Sequence, residues 1–98
     1  MIKLCGMRRI EDISYCNDCQ PDYIGFIFAE SKRKVSPELA GHLRGELDPK
    51  IVTVGVTVNA PIGFFAEISC SADIFQLQGN EDAEYISALR KLFPEKEI

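Results

Sequence analysis

Ile51-Val52-Thr53-Val54-Gly55-Val56-Thr57-Val58 is the stretch on which the fold turns. A run of β-branched residues broken by a single glycine reads as a strand. Because the run does not alternate apolar with polar residues, the strand is expected to be covered on both faces, as in a parallel sheet flanked by helices. Three more stretches have strand character. Residues 2–5 form a short apolar run closed by Gly6, residues 22–29 contain Tyr23-Ile24-Gly25-Phe26-Ile27-Phe28, and residues 73–77 form the last.

The segments between these runs carry helical spacing and helix-boundary chemistry. Ser36-Pro37-Glu38 sets a hydroxyl at the N-cap, proline at the first helical position and an acid beside the positive end of the helix dipole, with Leu39, Ala40, Leu43 and Leu47 following at helical intervals. Asn59-Ala60-Pro61 predicts the same device ahead of Ile62, Phe65, Ala66 and Ile68. Asn80-Glu81-Asp82 predicts it ahead of Tyr85, Ile86, Leu89 and Leu92. The first helix is expected over residues 9–19, with Ile10, Ile13 and Tyr15 on its apolar side and Pro21 preventing its continuation.

Composition limits what such a chain can do. With 98 residues, 46% hydrophobic and 27% charged, it describes one small globular domain. A net charge of -4 and a pI near 4.9 argue against a nucleic-acid groove or a basic membrane patch. The only dense basic run is Lys32-Arg33-Lys34. No apolar stretch approaches the roughly 20 residues that span a bilayer, and the beginning of the chain lacks the pattern of a secretion signal, so the cytoplasm is the expected compartment. The four cysteines are then expected as free thiols.

The alternation gives four β-then-α units of about 20 to 25 residues, the period of repeated βαβ crossovers. Two α/β architectures fit. One is a doubly wound sheet of the flavodoxin type, which the length favours and which would act as a phosphate or flavin binder. The other is a piece of a (β/α)8 barrel.

Six fragments in order favour the barrel: Lys3-Leu4-Cys5-Gly6-Met7, Arg9-Ile10-Glu11-Asp12, Gly25-Phe26-Ile27-Phe28, Ser31-Lys32-Arg33-Lys34-Val35-Ser36-Pro37, Val54-Gly55-Val56-Thr57-Val58-Asn59 and Gln76-Leu77-Gln78-Gly79. Together they closely resemble phosphoribosylanthranilate isomerase, a TIM (β/α)8 barrel of about twice this length. The resemblance implies that residues 1–98 form a single (β/α)4 half-barrel domain with a parallel sheet, incomplete at its C-terminus, with a fifth strand beginning within residues 94–98. It further implies an aldose–ketose isomerase of tryptophan biosynthesis. The reaction is the Amadori rearrangement of N-(5-phosphoribosyl)anthranilate to 1-(2-carboxyphenylamino)-1-deoxyribulose 5-phosphate, with no metal or organic cofactor.

By the same resemblance Cys5 is the general base, and Arg33 grips the substrate's anthranilate carboxylate, a task suited to a planar guanidinium. Gln76 and Gln78, alternating on the fourth strand, line the pocket; the family usually carries histidine at the position of Gln78. The general acid and the phosphate loops belong to later βα units. The partner is therefore expected to be the missing C-terminal half-barrel or a second copy, and the chain alone is expected to be inactive. The alternative reading is a noncatalytic homodimeric half-barrel that binds or scaffolds.

Other features read as structural. Cys16 and Cys19 have C-x-x-C spacing but no second ligand pair for zinc. Cys70 and the sole histidine, His42, read as helix residues away from the strand ends. Asp73 and Asp82 do not match the family's acid. Gly6, Gly25, Gly55 and Gly79 read as serving turns or close packing.

Overall fold

The computed structural model describes residues 2–98. The chain runs β1 (Lys3–Cys5), α1 (Ile10–Cys19), β2 (Tyr23–Ile27), α2 (Pro37–Glu46), β3 (Val52–Thr57), α3 (Phe64–Ile68), β4 (Ile74–Leu77) and α4 (Ala83–Leu92). All neighbouring strands pair in parallel, in the order β1-β2-β3-β4. That sequential order excludes the doubly wound alternative, whose strand order reverses at a switch point. The architecture is α/β, and the four units form half of a barrel sheet.

Two helices start at the segments whose boundary chemistry predicts them, and α1 starts with a cap that its spacing does not announce. Ser36 Oγ accepts from the Leu39 N–H at 3.1 Å, and Asp82 Oδ1 accepts from the Tyr85 N–H at 2.8 Å. At the head of α1, Asp12 Oδ2 accepts from the N–H groups of Arg8 and Arg9, both at 3.2 Å. Burial works against this carboxylate, but those N–H groups and the Arg9 guanidinium outweigh it and hold its pKa below the usual value. Gln20 ends α1 in the left-handed conformation (φ 52°), donating its N–H to the Cys16 carbonyl, and Pro21 follows.

The third helix departs from expectation. It begins at Phe64 behind an uncapped Gly63, because Asn59 is occupied elsewhere: its backbone turns into the left-handed region (φ 49°) and its side chain accepts from the Asn80 N–H at 2.9 Å. The apolar side of α1 is also narrower than its spacing suggests. Ile13 and Cys16 are buried, whereas Tyr15 is 63% exposed.

The core lies between one face of the sheet and the helices. Ile24, Phe26, Phe28 and Phe75 from the strands meet Ile13, Leu43, Phe65, Ile68 and Leu89 from the helices. The Phe65 and Phe75 rings are 4.9 Å apart, and Phe93 stands perpendicular to Phe75 at 5.5 Å. Gly55 belongs to this layer because a Cβ there would sit 3.0 Å from that of Ala72 and 3.3 Å from the Phe28 ring.

Strand alternation sends Lys3, Cys5, Val54, Val56 and Gln76 to the opposite face, the inner face of a barrel. Val54 and Val56 are buried there, outside the helix-side cluster. At the β4 edge the chain returns. Glu97 forms a parallel bridge with Ile74, and its carbonyl accepts from the Phe75 N–H at 2.8 Å. This isolated bridge falls within residues 94–98. Among the described residues, no strand covers the outer edge of β1.

Gly55→Val should overpack the sheet–α3 contact and cost about 1–3 kcal/mol. A lowered urea midpoint with an unchanged slope checks this; an unchanged midpoint would show that the contact has slack.

Candidate active site

The end of β1 is built around two positions that lack side chains. Cys5, the last residue of the strand, lies in register with Gly25 of β2. A Cβ on Gly25 would come 3.0 Å from the Cys5 sulfur and 3.4 Å from its Cα, so the thiol rests over bare backbone. The chain then turns at Gly6 (φ 81°), a conformation costly for any residue with a Cβ. The N–H groups of Gly6 and Met7 both donate to the Gly25 carbonyl, at 3.0 and 3.3 Å.

Because β1 ends opposite Gly25, the edge of β2 beyond that point is open, and the loop after β2 folds back onto it. Lys34 forms a parallel bridge with Ile27, and the Val35 N–H donates to the Ile27 carbonyl at 2.9 Å. A turn at Ser31 tightens the loop, its Oγ accepting from the Arg33 N–H at 3.2 Å. Arg8 anchors the loop from the β1 side, donating from Nη1 to the Lys32 carbonyl at 2.7 Å.

The fold-back lays Arg33 across Gly6. A Cβ on Gly6 would collide with Arg33 Cδ and would lie 3.2 Å from its Nη1. The sulfur of residue 5 and the guanidinium over residue 6 therefore share one rim, at the carboxyl ends of the strands, and both side chains are exposed. A planar guanidinium can hold a carboxylate through two parallel hydrogen bonds, so Arg33 suits an anionic ligand at this rim.

Gln76 faces inward from β4, where its Oε1 accepts from Lys3 Nζ at 2.6 Å. Gln78 follows the last residue of β4 and is exposed; its backbone N–H donates to the Thr57 carbonyl at 2.9 Å. The two glutamines therefore occupy different settings, one tied across the inner face and the other at the rim end. Asp73 precedes β4 at the opposite end of the sheet. Its carboxylate accepts from the Thr53 N–H at 3.0 Å and lies 3.7 Å from Arg44.

Two features escaped the sequence reading. Glu81 clasps the ends of β3 and β4, accepting from the Asn59 N–H at 2.8 Å and the Gly79 N–H at 2.9 Å. Asn59 packs so closely on Gly79 that a Cβ there would lie 2.6 Å from Asn59 Oδ1. No local spacing rule announces a clasp between loops 22 residues apart. The other is Lys3, which reads only as the lead-in to Cys5; its bond to Gln76 spans 73 residues.

Cys16 is fully buried, with its Sγ 3.5 Å from Met7 Sδ. Burial pushes its thiol pKa up, and Cys19 and Asp12 add to that. Cys5, Cys19 and Cys70 are exposed, as is His42. Among the described residues, no group of three candidate ligands could hold a metal ion, and no helix is long and apolar enough to cross a membrane.

A groove of 580 Å³ is bounded by Lys3, Tyr23, Ile74, Gln76, Ile86 and Ile98. It flanks the edge of β4 beside the Glu97 bridge, the place where the next strand of the sheet would run.

Comparison with known proteins agrees with this fold. The profile of the N-(5'-phosphoribosyl)anthranilate isomerase family matches residues 2–97. A curated Thermoanaerobacter protein named N-(5'-phosphoribosyl)anthranilate isomerase is 46% identical over 87 residues, covering 87% of this chain and 43% of the relative. The crystal structure of phosphoribosyl anthranilate isomerase from Thermotoga maritima superposes with a TM-score of 0.84 at 31% identity, covering 93% of this chain and 47% of that one. A phosphoribosyl anthranilate isomerase in complex with reduced 1-(o-carboxyphenylamino)-1-deoxyribulose 5-phosphate gives the same TM-score and identity, covering 94% and 50%. The chain thus spans about half the length of the relatives it matches.

Cys5, Cys19 and Cys70 should react rapidly with a thiol reagent in the native chain, with Cys16 reacting only after denaturation. A fast phase that includes Cys16 would contradict the packing of α1.

Proposed function

This chain belongs to the N-(5'-phosphoribosyl)anthranilate isomerase family, and from that premise we propose that it supplies the first half of such an isomerase barrel, carrying the catalytic base and the carboxylate anchor for an Amadori rearrangement in tryptophan biosynthesis. The observation that carries the reading is that the Cys5 thiol seats over Gly25 while Arg33 lies across Gly6, the residue after Cys5.

The chemistry runs in two stages. An acid protonates the furanose oxygen of the aminoaldose as its bond to C1 breaks, and the nitrogen lone pair forms an iminium at C1. Cys5, as thiolate, then removes the C2 proton. The C2–H electrons form the C1=C2 bond, the iminium electrons return to nitrogen, and the enol tautomerises to the ketone at C2. Arg33 holds the anthranilate carboxylate so that C2 lies within reach of the sulfur. Gln76 and Gln78 line the sugar's path. No cofactor takes part.

The acid and the phosphate grip come from βα units beyond these four, so the chain acts with a partner half-barrel, in the cytoplasm. Support for such a partner over a second copy comes from Glu97, whose single bridge to Ile74 occupies part of the β4 edge. A copy's β1 would have to displace it.

Residues 1–98 joined in frame to the remaining half of the Thermoanaerobacter relative should consume the fluorescent anthranilate substrate, while the 98-residue chain alone gives no turnover. In the joined protein Cys5→Ala should lower kcat by at least about a hundredfold. Arg33→Ala should act mainly by raising KM, about tenfold or more. A folded joined protein that turns over equally well with alanine at position 5 would defeat the assignment.

A further inference from the structure

Lys3 lies two residues before Cys5 on the same face of β1, yet its ammonium is directed across that face to β4, where it bonds Gln76 Oε1 at 2.6 Å. Among the described residues, no carboxylate stands within ion-pair distance of it. A structural lysine in a sheet ordinarily leans toward water or an acid. This one bonds a neutral amide on the far strand.

The direction of that bond has a chemical consequence. An ammonium only donates, so the amide atom facing it must be the oxygen. A free glutamine offers either end of its amide to a ligand, but one whose oxygen is engaged by lysine presents its NH2. A sugar hydroxyl both donates and accepts, so it would tolerate either orientation; the lysine removes the choice.

We propose that Lys3 is a positioning residue that fixes the Gln76 amide with its NH2 toward the open inner face, so that Gln76 donates a hydrogen bond to an oxygen of the substrate's sugar chain. The inference rests on the isomerase reading for the identity of the ligand. The lysine–glutamine pin itself rests on geometry alone.

Two arms separate these. In the first, the side-chain amide of Gln76 is followed by NMR in the isotopically labelled 98-residue chain, its signal identified by its disappearance in Gln76→Glu. Lys3→Met should shift that signal while leaving those of Gln20 and Gln78 in place, and Lys3→Arg should keep it near its original position. An unmoved Gln76 signal in Lys3→Met would overturn the pin whatever the enzyme does.

In the second, the same variants are placed in the joined barrel and thermal unfolding is recorded alongside kinetics. Gln76→Glu keeps an acceptor for Lys3 but removes the donor, so it should lose about tenfold or more in kcat/KM while remaining as stable as the parent. Lys3→Met should raise KM about tenfold with kcat changed less than threefold and the pH profile unshifted, and Lys3→Arg should restore KM to within about threefold. A brace without a positioning role predicts full turnover in Gln76→Glu, and that result would overturn the proposal. If the parent joined barrel gave no turnover at all, the isomerase reading and the substrate role of Gln76 would both fall, and the NMR arm would still report on the pin.

Discussion

The arrangement depends on missing side chains at Gly6 and Gly25. Gly25 leaves the Cys5 sulfur a seat on the backbone of β2, and Gly6 both makes the left-handed turn out of β1 and clears the path of Arg33. A methyl group at either position would press on one of the two groups. The shortness of β1 acts with them: ending at Cys5, it frees the edge of β2 that the Arg33 loop then occupies through Lys34 and Val35. Strand length, glycine placement and loop course thus combine to put a thiol and a guanidinium at the same end of the sheet.

Much of this was legible in the sequence, and what was not has physical causes. The apolar run of β3 and the Ser36-Pro37 cap are local devices, and they are found where their chemistry puts them. The motif residues Cys5 and Arg33 were also identifiable, though their shared rim depends on tertiary packing. Asn59 misled, because the side chain that suits an N-cap was captured by an N–H 21 residues away. Tyr15 misled because a ten-residue helix against a curved sheet buries only a narrow stripe. The Lys3–Gln76 bond and the Glu81 clasp join distant strands or loops, and no periodicity or spacing encodes such contacts.

The two faces of the sheet are covered unequally. The helix-side face is closed by an aromatic and aliphatic cluster. The inner face buries Val54 and Val56 but leaves Lys3 and Cys5 exposed, and the groove beside β4 lies open next to a single bridge from Glu97. Parallel strands favour cover on both faces, and this face and edge are the less covered ones.

Competitive alkylation tests the convergence most directly. The native chain would be treated with anionic iodoacetate or neutral iodoacetamide, and modification at each exposed cysteine measured by mass spectrometry. With Arg33 beside the thiol, the preference for the anion at Cys5 should exceed that at Cys19 and Cys70 by about fivefold at low salt and fall to their level in Arg33→Gln. An iodoacetate preference at Cys5 no greater than at the other two thiols, and unaffected by Arg33→Gln, would contradict the account.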